Sequence, residues 1–387
     1  TMQRDVQQGV LRKRLTVLQN FLILGKSENG LRVKLAVTAE IRRLQEQIEL
    51  QKLARCRVLK SSFNINSLSD EECLIKFHFM RKDVGLISEL IPWDKCLDEQ
   101  GKMRTSRRRY RIDPMEATAL LLRRLSTVSR CVDLQEEFGK HSACLNETFY
   151  HTLELFHSKF SPLVTTWPHE ILKDRAEYYS KVISEKGSPL DNVVGFIDGT
   201  AVEIARPSGL GQRATYSGHK RRNCVKFQAV STPDGLILHI FGPVEGRRHD
   251  MSLYRESNID SLLQDSMNIN GIQYCLYGDP AYFLRPYLQV GYQGSRFTAD
   301  QTLFIASMSK VRIAVEWAFR DVKMYFTHFD FHRKLRMGIN PGGLWYICSV
   351  ILWNFRVCLY GSQTAEYFDC DPMSIVEYLE NIPNYSM

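Results

Sequence analysis

The sequence predicts an α/β fold, helical at both ends and strand-rich in the middle. Three observations carry this. Apolar residues recur at helical spacing behind a strong helix start at Asp113-Pro114. From about residue 190 the pattern changes to short apolar runs separated by turn formers. From residue 338 to the end the chain returns to apolar helix.

Taken in order, residues 1–60 read as a basic helical segment. Val37, Ile41, Leu44 and Ile48 follow a 4-3-4 spacing that places them on one helix face. Two heptads are too few for a dimerising coiled coil, so a short helix packed on a neighbour is expected. Residues 61–112 form a mixed linker region with Pro92-Trp93 and a basic cluster of Lys102, Arg104, Arg107, Arg108, Arg109 and Arg111. Residues 113–165 read as a helix-turn-helix-like domain. Asp113 is the N-cap, Pro114 the first helical residue, and the helix runs through Ala117 to Leu125. A second helical stretch from Val132 to Phe138 stops at Gly139, and a third runs from about Ala143 to Phe160.

Residues 190–330 form the strand-rich region. Asn192–Ala205, Cys224–Ser231 and Leu236–Val244 read as strands, the last two joined by the turn Thr232-Pro233-Asp234-Gly235. A helical stretch from Met251, a short strand Gln273–Tyr277 and a long helix over Thr298–Phe326 follow. Residues 338–387 complete the chain as a C-terminal helical region, in which Leu344–Leu359 reads as a buried helix.

Composition sets the class. Apolar residues are 44% and charged residues 24% of 387, ordinary globular material. No uninterrupted apolar run reaches membrane-spanning length, and no secretory signal is expected because the early segment alternates charged with apolar residues. The ten cysteines are scattered without a CxxC pair, which points to reduced thiols in an intracellular compartment. The net charge is +8, and residues 1–60 alone hold thirteen Lys/Arg against five Asp/Glu. A polyanionic partner is the natural inference.

Four acids sit where acids are informative. Asp198 follows the apolar run Val193-Val194-Gly195-Phe196-Ile197, Asp279 ends Tyr274-Cys275-Leu276-Tyr277-Gly278, and Asp250 follows the third strand. Glu316 lies within the long helix, whose positions Ile305, Met308, Val315, Phe319 and Val322 mark the packed side, while Arg312, Glu316, Arg320 and Lys323 form another stripe. A carboxylate is costly to bury unless it is paired or binds a metal. Acids gathered from several elements are what a pair of hard divalent cations requires for phosphodiester chemistry. Each acid also has a structural reading: Asp198 and Asp279 as turn residues, Asp250 as an N-cap, Glu316 as an i,i+4 partner of Arg312 or Arg320.

At these residues the chain resembles the PIF/Harbinger family of DDE transposases and the nucleases derived from them. The matching blocks begin with Phe196-Ile197-Asp198-Gly199-Thr200 and Tyr216-Ser217-Gly218-His219-Lys220 with Lys226-Phe227-Gln228-Ala229-Val230. They continue with Gly246-Arg247-Arg248-His249-Asp250, Gly278-Asp279-Pro280-Ala281-Tyr282, and Val311-Arg312-Ile313-Ala314-Val315-Glu316-Trp317-Ala318-Phe319. Gly246-Arg247-Arg248, Pro280-Ala281 and Trp317 depart from common family residues, and none of the departures removes an acid.

The resemblance implies an RNase H-like core in which Asp198, Asp279 and Glu316 form a catalytic triad. Asp250 would be a fourth metal-site acid, with two Mg²⁺ (or Mn²⁺) ions per active site. It implies cleavage of double-stranded DNA at transposon ends, followed by joining to target DNA. Lys220, Arg221, Arg222, Arg247, Arg248, Arg312, Arg320 and Lys323 are the expected phosphate contacts. A separate Myb-like DNA-binding partner is expected, with oligomeric state left open between monomer and homo-oligomer, and no membrane partner. The substrate implies the nucleus, with entry from the cytoplasm assisted by that partner.

Three other readings compete at these residues. The block Phe196-Ile197-Asp198-Gly199-Thr200 also resembles the DxDGT motif of haloacid-dehalogenase-like phosphatases, but Phe196 stands where the nucleophilic Asp would be. A domesticated, non-catalytic nuclear DNA-binding or scaffold protein is the main alternative. His328 and His332 are four apart, yet Phe329 and Phe331 around them favour packing over zinc.

Overall fold

The computed structural model describes residues 16, 38, 40–45, 63–94, 96–105, 110–208, 210–218, 220–330, 335 and 342–382, except for the side chains of 210, 314, 315, 329 and 330. Two compact units divide the chain, one comprising residues 1–64 with 129–147 and the other residues 65–128 with 148–387.

In the first unit residues 40–45 are helical and Leu44 is buried. Val37 and Ile48, expected on the same face, lie outside the described residues. Phe63 stacks on Phe138 with ring centroids 4.6 Å apart. The helix expected over Val132–Phe138 is a single turn, Gln135–Phe138, and Gly139 ends it at φ 60°. Gln135 then accepts the Ser142 amide at 3.0 Å, which starts the next helix, Ser142–Phe160.

The second unit opens with α1 (Asp70–Phe77), capped by a Ser69/Glu72 capping box, and α2 (Arg81–Leu90). A small hairpin follows, β1 (Met103–Arg104) with β2 (Arg111–Ile112). Its basic residues are not free: Arg104 and Arg111 both converge on Asp98, at 3.6 and 2.6 Å. Arg107, Arg108 and Arg109 lie outside the described residues. In α3 (Pro114–Leu125) Asp113 accepts the amides of Met115 and Glu116, as the sequence predicted. In chain order come α4 (Gln135–Phe138) and α5 (Ser142–Phe160), the two helices named above, then α6 (Pro162–Thr165) and α7 (His169–Glu185).

The sheet follows: β3 (Val193–Glu203), a short helix α8 (Leu210–Thr215), β4 (Tyr216–Ser217), β5 (Arg222–Ser231) and β6 (Ile237–Glu245). After α9 (Asp250–Glu256), α10 (Ile259–Ser266) and the two-residue strands β7 (Asn268–Ile269) and β8 (Ile272–Gln273) come β9 (Cys275–Gly278) and β10 (Leu288–Val290). β3 is central. It pairs antiparallel with β5, which pairs antiparallel with β6, and on its other side it runs parallel to β9, which runs parallel to β10. The turn between β5 and β6 is sealed by Asp234, fully buried, which accepts from Thr232 Oγ1 at 2.6 Å, Tyr179 Oη at 2.5 Å and Arg175 Nη1 at 3.2 Å.

The long helix α11 (Ala299–Tyr325) starts at a Thr298/Gln301 capping box, one residue from the expected start. Met308, Phe319 and Val322 are buried as expected, Ile305 is half-buried, and the side chain of Val315 lies outside the description. α12 (Gly342–Tyr360) is apolar and long enough to cross a membrane by composition, yet Trp345 through Phe355 are buried against the rest of this unit. It meets the free side of β6: Asn354 accepts the Ile237 amide at 2.9 Å and donates to the Ile237 carbonyl at 2.8 Å. α13 (Gln363–Phe368) and α14 (Ile375–Glu380) close the unit. The architecture is mixed α/β, with a curled mixed sheet between helices.

Candidate active site

The register of β3 on β9 builds the site. Ile197 is level with Gly278, so the next residues, Asp198 and Asp279, stand side by side where the two parallel strands diverge. The first five residues of β3 are buried, and exposure begins at Asp198. Gly278 is required by this approach: a Cβ there would lie 2.9 Å from both Ile197 Cγ2 and Tyr282 Cδ2. Asp279 forms the following turn itself, accepting the Ala281 amide at 2.9 Å through Oδ1 and the Tyr282 amide at 3.0 Å through its carbonyl.

Arg312 of α11 joins the two acids. Its Nη2 lies 2.8 Å from Asp198 Oδ2 and 3.8 Å from Asp279 Oδ2. Burial raises the Asp198 carboxyl above its ordinary range; Arg312 and the Gly199 amide pull it down, while Asp279 and Asp250 push it up. Thus Asp198 is an acid that burial makes harder to ionise, against which Arg312 and the Gly199 amide favour the charged form.

Glu316 is exposed and lies one helical turn beyond Arg312. Lys323, eleven residues past Arg312, donates to Thr200 Oγ1 at 3.2 Å and the Ala201 carbonyl at 3.0 Å. Positions four and eleven residues on return to within about 40° of the same helix side. Arg312, Glu316 and Lys323 therefore share the stripe that faces β3. Arg320 has rotated off it and donates to Gln363 Oε1 at 2.6 Å and Asp321 Oδ1 at 3.1 Å. The sequence stripe of four is a stripe of three.

Asp250 reaches β3 from the other face. Side chains alternate along a strand, so Asp198 and Thr200 point towards α11 while position 199 points away. A Cβ on Gly199 would meet Asp250 Oδ1 at 3.0 Å. Lys226 of β5 holds Asp250 there, at 3.3 Å from Oδ1, while donating to the Arg248 carbonyl at 2.6 Å. On the same side Gln228, fully buried, donates to Tyr282 Oη at 3.2 Å and accepts from Ser257 Oγ at 3.0 Å. Burial raises the Tyr282 phenol well above its ordinary range, and the three aspartates push it further. Among the described residues no three His, Cys, Asp or Glu side chains surround one point closely enough to hold an ion.

The basic loops are partly committed. Arg222 pairs with Glu203, Arg247 with Glu245 at 2.9 Å, and Arg248 with Glu256 at 2.6 Å. Lys220 and Arg221 are exposed, Arg221 at φ 52°. His328, fully buried, packs on Trp345 at 4.2 Å and lies 3.2 Å from Arg124, so it is a packing residue; His332 lies outside the described residues. The nine described cysteines are free thiols.

Sequence reading quoted Lys226, Gln228 and Tyr282 only within matching blocks and gave them no role. Their signal was present: a Lys and a Gln inside an otherwise apolar strand need partners, and buried polar groups find them.

Comparison with known proteins bears on these residues. Residues 197–354 match the DDE superfamily endonuclease family. The match opens at the strand residue before Asp198 and closes at Asn354, so it spans all four acids. "Protein ALP1-like" of Arabidopsis thaliana is 22% identical over 218 residues, 54% of this chain and 52% of that protein. The chain thus spans about half the length of that curated relative. No solved structure matches the chain significantly. The resemblance drawn from the motif blocks is therefore shown at the level of the DDE superfamily.

Proposed function

We propose that this chain is a metal-dependent DNA endonuclease of the DDE type. The observation that carries the reading is the pairing of Asp198 with Asp279 at the divergence of two parallel strands, inside the family match. Support for an RNase H-like core comes from the strand order: three antiparallel strands, then two parallel ones added beside the first.

The donor set suits a hard divalent cation. Asp198 and Asp279 are carboxylates that already share one positive group, the Arg312 guanidinium. Asp198, Asp279 and Glu316 would hold Mg²⁺ or Mn²⁺ in this reading, and Asp250, which meets β3 on the other face at Gly199, would have to come round the strand to serve a second ion. When bound, such ions activate the attacking water and stabilise the leaving oxygen. Arg312 and Lys323 then serve the phosphate backbone from the α11 side, and Lys220 and Arg221 from the loop before β5. Transposon ends and target DNA as substrates, strand transfer after cleavage, a Myb-like partner and a nuclear location all belong to this reading. So does DNA contact by the helix-turn-helix-like segment.

The test is nicking of duplex DNA carrying candidate element ends, with Mg²⁺ or Mn²⁺ and the Myb-like partner present. Wild type should nick; Asp198→Asn and Glu316→Gln should not. Equal binding without cleavage by all three would overturn the reading.

One observation favours a second reading, a non-catalytic DNA-binding or scaffold protein. Arg312 satisfies Asp198 and Asp279 as they stand, which a protein that never loads metal would need.

A further inference from the structure

Beyond Asp279 the chain presents an aromatic ring that the core does not use. Tyr282 turns inward, 3% exposed, whereas Phe283 turns outward, 45% exposed. Two guanidinium groups lie against the Phe283 ring, those of Arg255 at 5.6 Å and Arg285 at 5.7 Å from its centroid. The three residues come from the two elements that carry candidate acids. Arg255 belongs to α9, whose first residue is Asp250; Phe283 and Arg285 follow the turn that Asp279 builds. Four residues of chain place Phe283 within about 14 Å of Asp279.

The charge state of this cluster differs from that of the other basic residues near the site. Arg222, Arg247 and Arg248 each have a carboxylate close by. Arg285 reaches one only at 3.9 Å, on Asp260, which already accepts from Tyr254 and Tyr287. Among the described residues no ion pair engages Arg255. A half-exposed ring with two weakly committed cations suits a ligand that has both a π-face and negative charge. An apolar peptide would match the ring but leave the cations without a counter-ion.

We propose that Phe283, Arg255 and Arg285 form a stacking clamp for one unpaired base of a DNA strand, with the guanidinium groups on its flanking phosphates. The ring or a guanidinium plane stacks the base, a contact that every base can make. Sequence-independent capture of an unpaired base beside the candidate acids would favour DNA that is frayed, gapped or nicked there. The proposal rests on the endonuclease reading for its substrate.

The test compares binding of a duplex with a three-nucleotide gap and of the intact duplex, by fluorescence anisotropy of the full chain in EDTA. Wild type should prefer the gapped DNA. Phe283→Ala should lower that preference roughly 5- to 100-fold, and Phe283→Trp should keep it. Arg255→Ala and Arg285→Ala should weaken both DNAs and each lower the salt slope by about one. Circular dichroism checks that every variant folds. The proposal is overturned if wild type shows no preference, if it binds no DNA, or if Phe283→Ala keeps the preference; the last outcome would leave Phe283 to a protein contact. Absence of metal-dependent nicking with the gap preference intact would sink the endonuclease reading alone. Normal nicking with no Phe283 effect would sink the clamp alone.

Discussion

Asp198 and Asp279 share one guanidinium: Arg312 Nη2 lies 2.8 Å from the first and 3.8 Å from the second. Residues 198, 279 and 312 thus bring two carboxylates and one guanidinium together, which leaves a net negative charge for a further cation to neutralise. A cation that binds these carboxylates must compete with Arg312.

Arg312→Gln should therefore tighten Mn²⁺ binding several-fold, read by isothermal titration calorimetry, because a competing positive charge is gone. The same variant should bind DNA more weakly if the side chain serves phosphate. Unchanged Mn²⁺ affinity would show that Arg312 and the ion do not share a position.

Gly199→Ala tests the opposite face of β3. The new methyl would lie 3.0 Å from Asp250 Oδ1, a flexible and partly exposed group that can move. The expected cost in thermal unfolding is small, about 1 kcal/mol or less. Nicking should fall far more than stability does if Asp250 serves the reaction, because displacement breaks its contact with Lys226.

His239 gives a pH prediction. Burial lowers its pKa to about 4, from an ordinary value near 6.5. The unfolded chain therefore binds a proton that the folded chain refuses between those values. Stability is full above pH 6.5 and falls as pH drops towards 4, by roughly 3 kcal/mol from this residue. Urea unfolding of wild type and His239→Leu at pH 7 and pH 4.5 should show a smaller loss in the variant. Equal losses would count against the assignment.

Asp234 is the structural counterpart of the candidate acids. Its carboxylate, wholly buried, takes hydrogen bonds from Thr232, Tyr179 and Arg175. Asp234→Ala strands the Arg175 charge and should cost about 3–5 kcal/mol, measured by chemical denaturation. Tyr179→Phe removes one donor to that carboxylate and should cost about 1.5–3 kcal/mol.

Local signals made much of this legible. Asp113-Pro114, Thr298 with Gln301, and Thr232-Pro233-Asp234-Gly235 each fix a boundary by nearby hydrogen bonds, and the sequence shows all the participants. Asp198 and Asp279 were legible because an acid ending an apolar run is conspicuous. What stayed hidden depends on distant partners. β10 is three residues long and exists through β9. Arg320 leaves the α11 stripe for Gln363, 43 residues on, and Arg222 is committed to Glu203 across the sheet. The side from which Asp250 meets β3 follows from register, which periodicity alone does not give.

Asn354 has a consequence for association. Its side-chain amide meets both backbone groups of Ile237, as one residue of an added strand would. At its starting end, then, β6 offers an incoming chain nothing to template on: α12 covers the edge, and Asn354 fills the hydrogen bonds of Ile237 beneath it. Substituting Asn354 with Leu would leave both Ile237 groups without partners beneath the helix, a penalty borne inside the fold and not at an exposed edge.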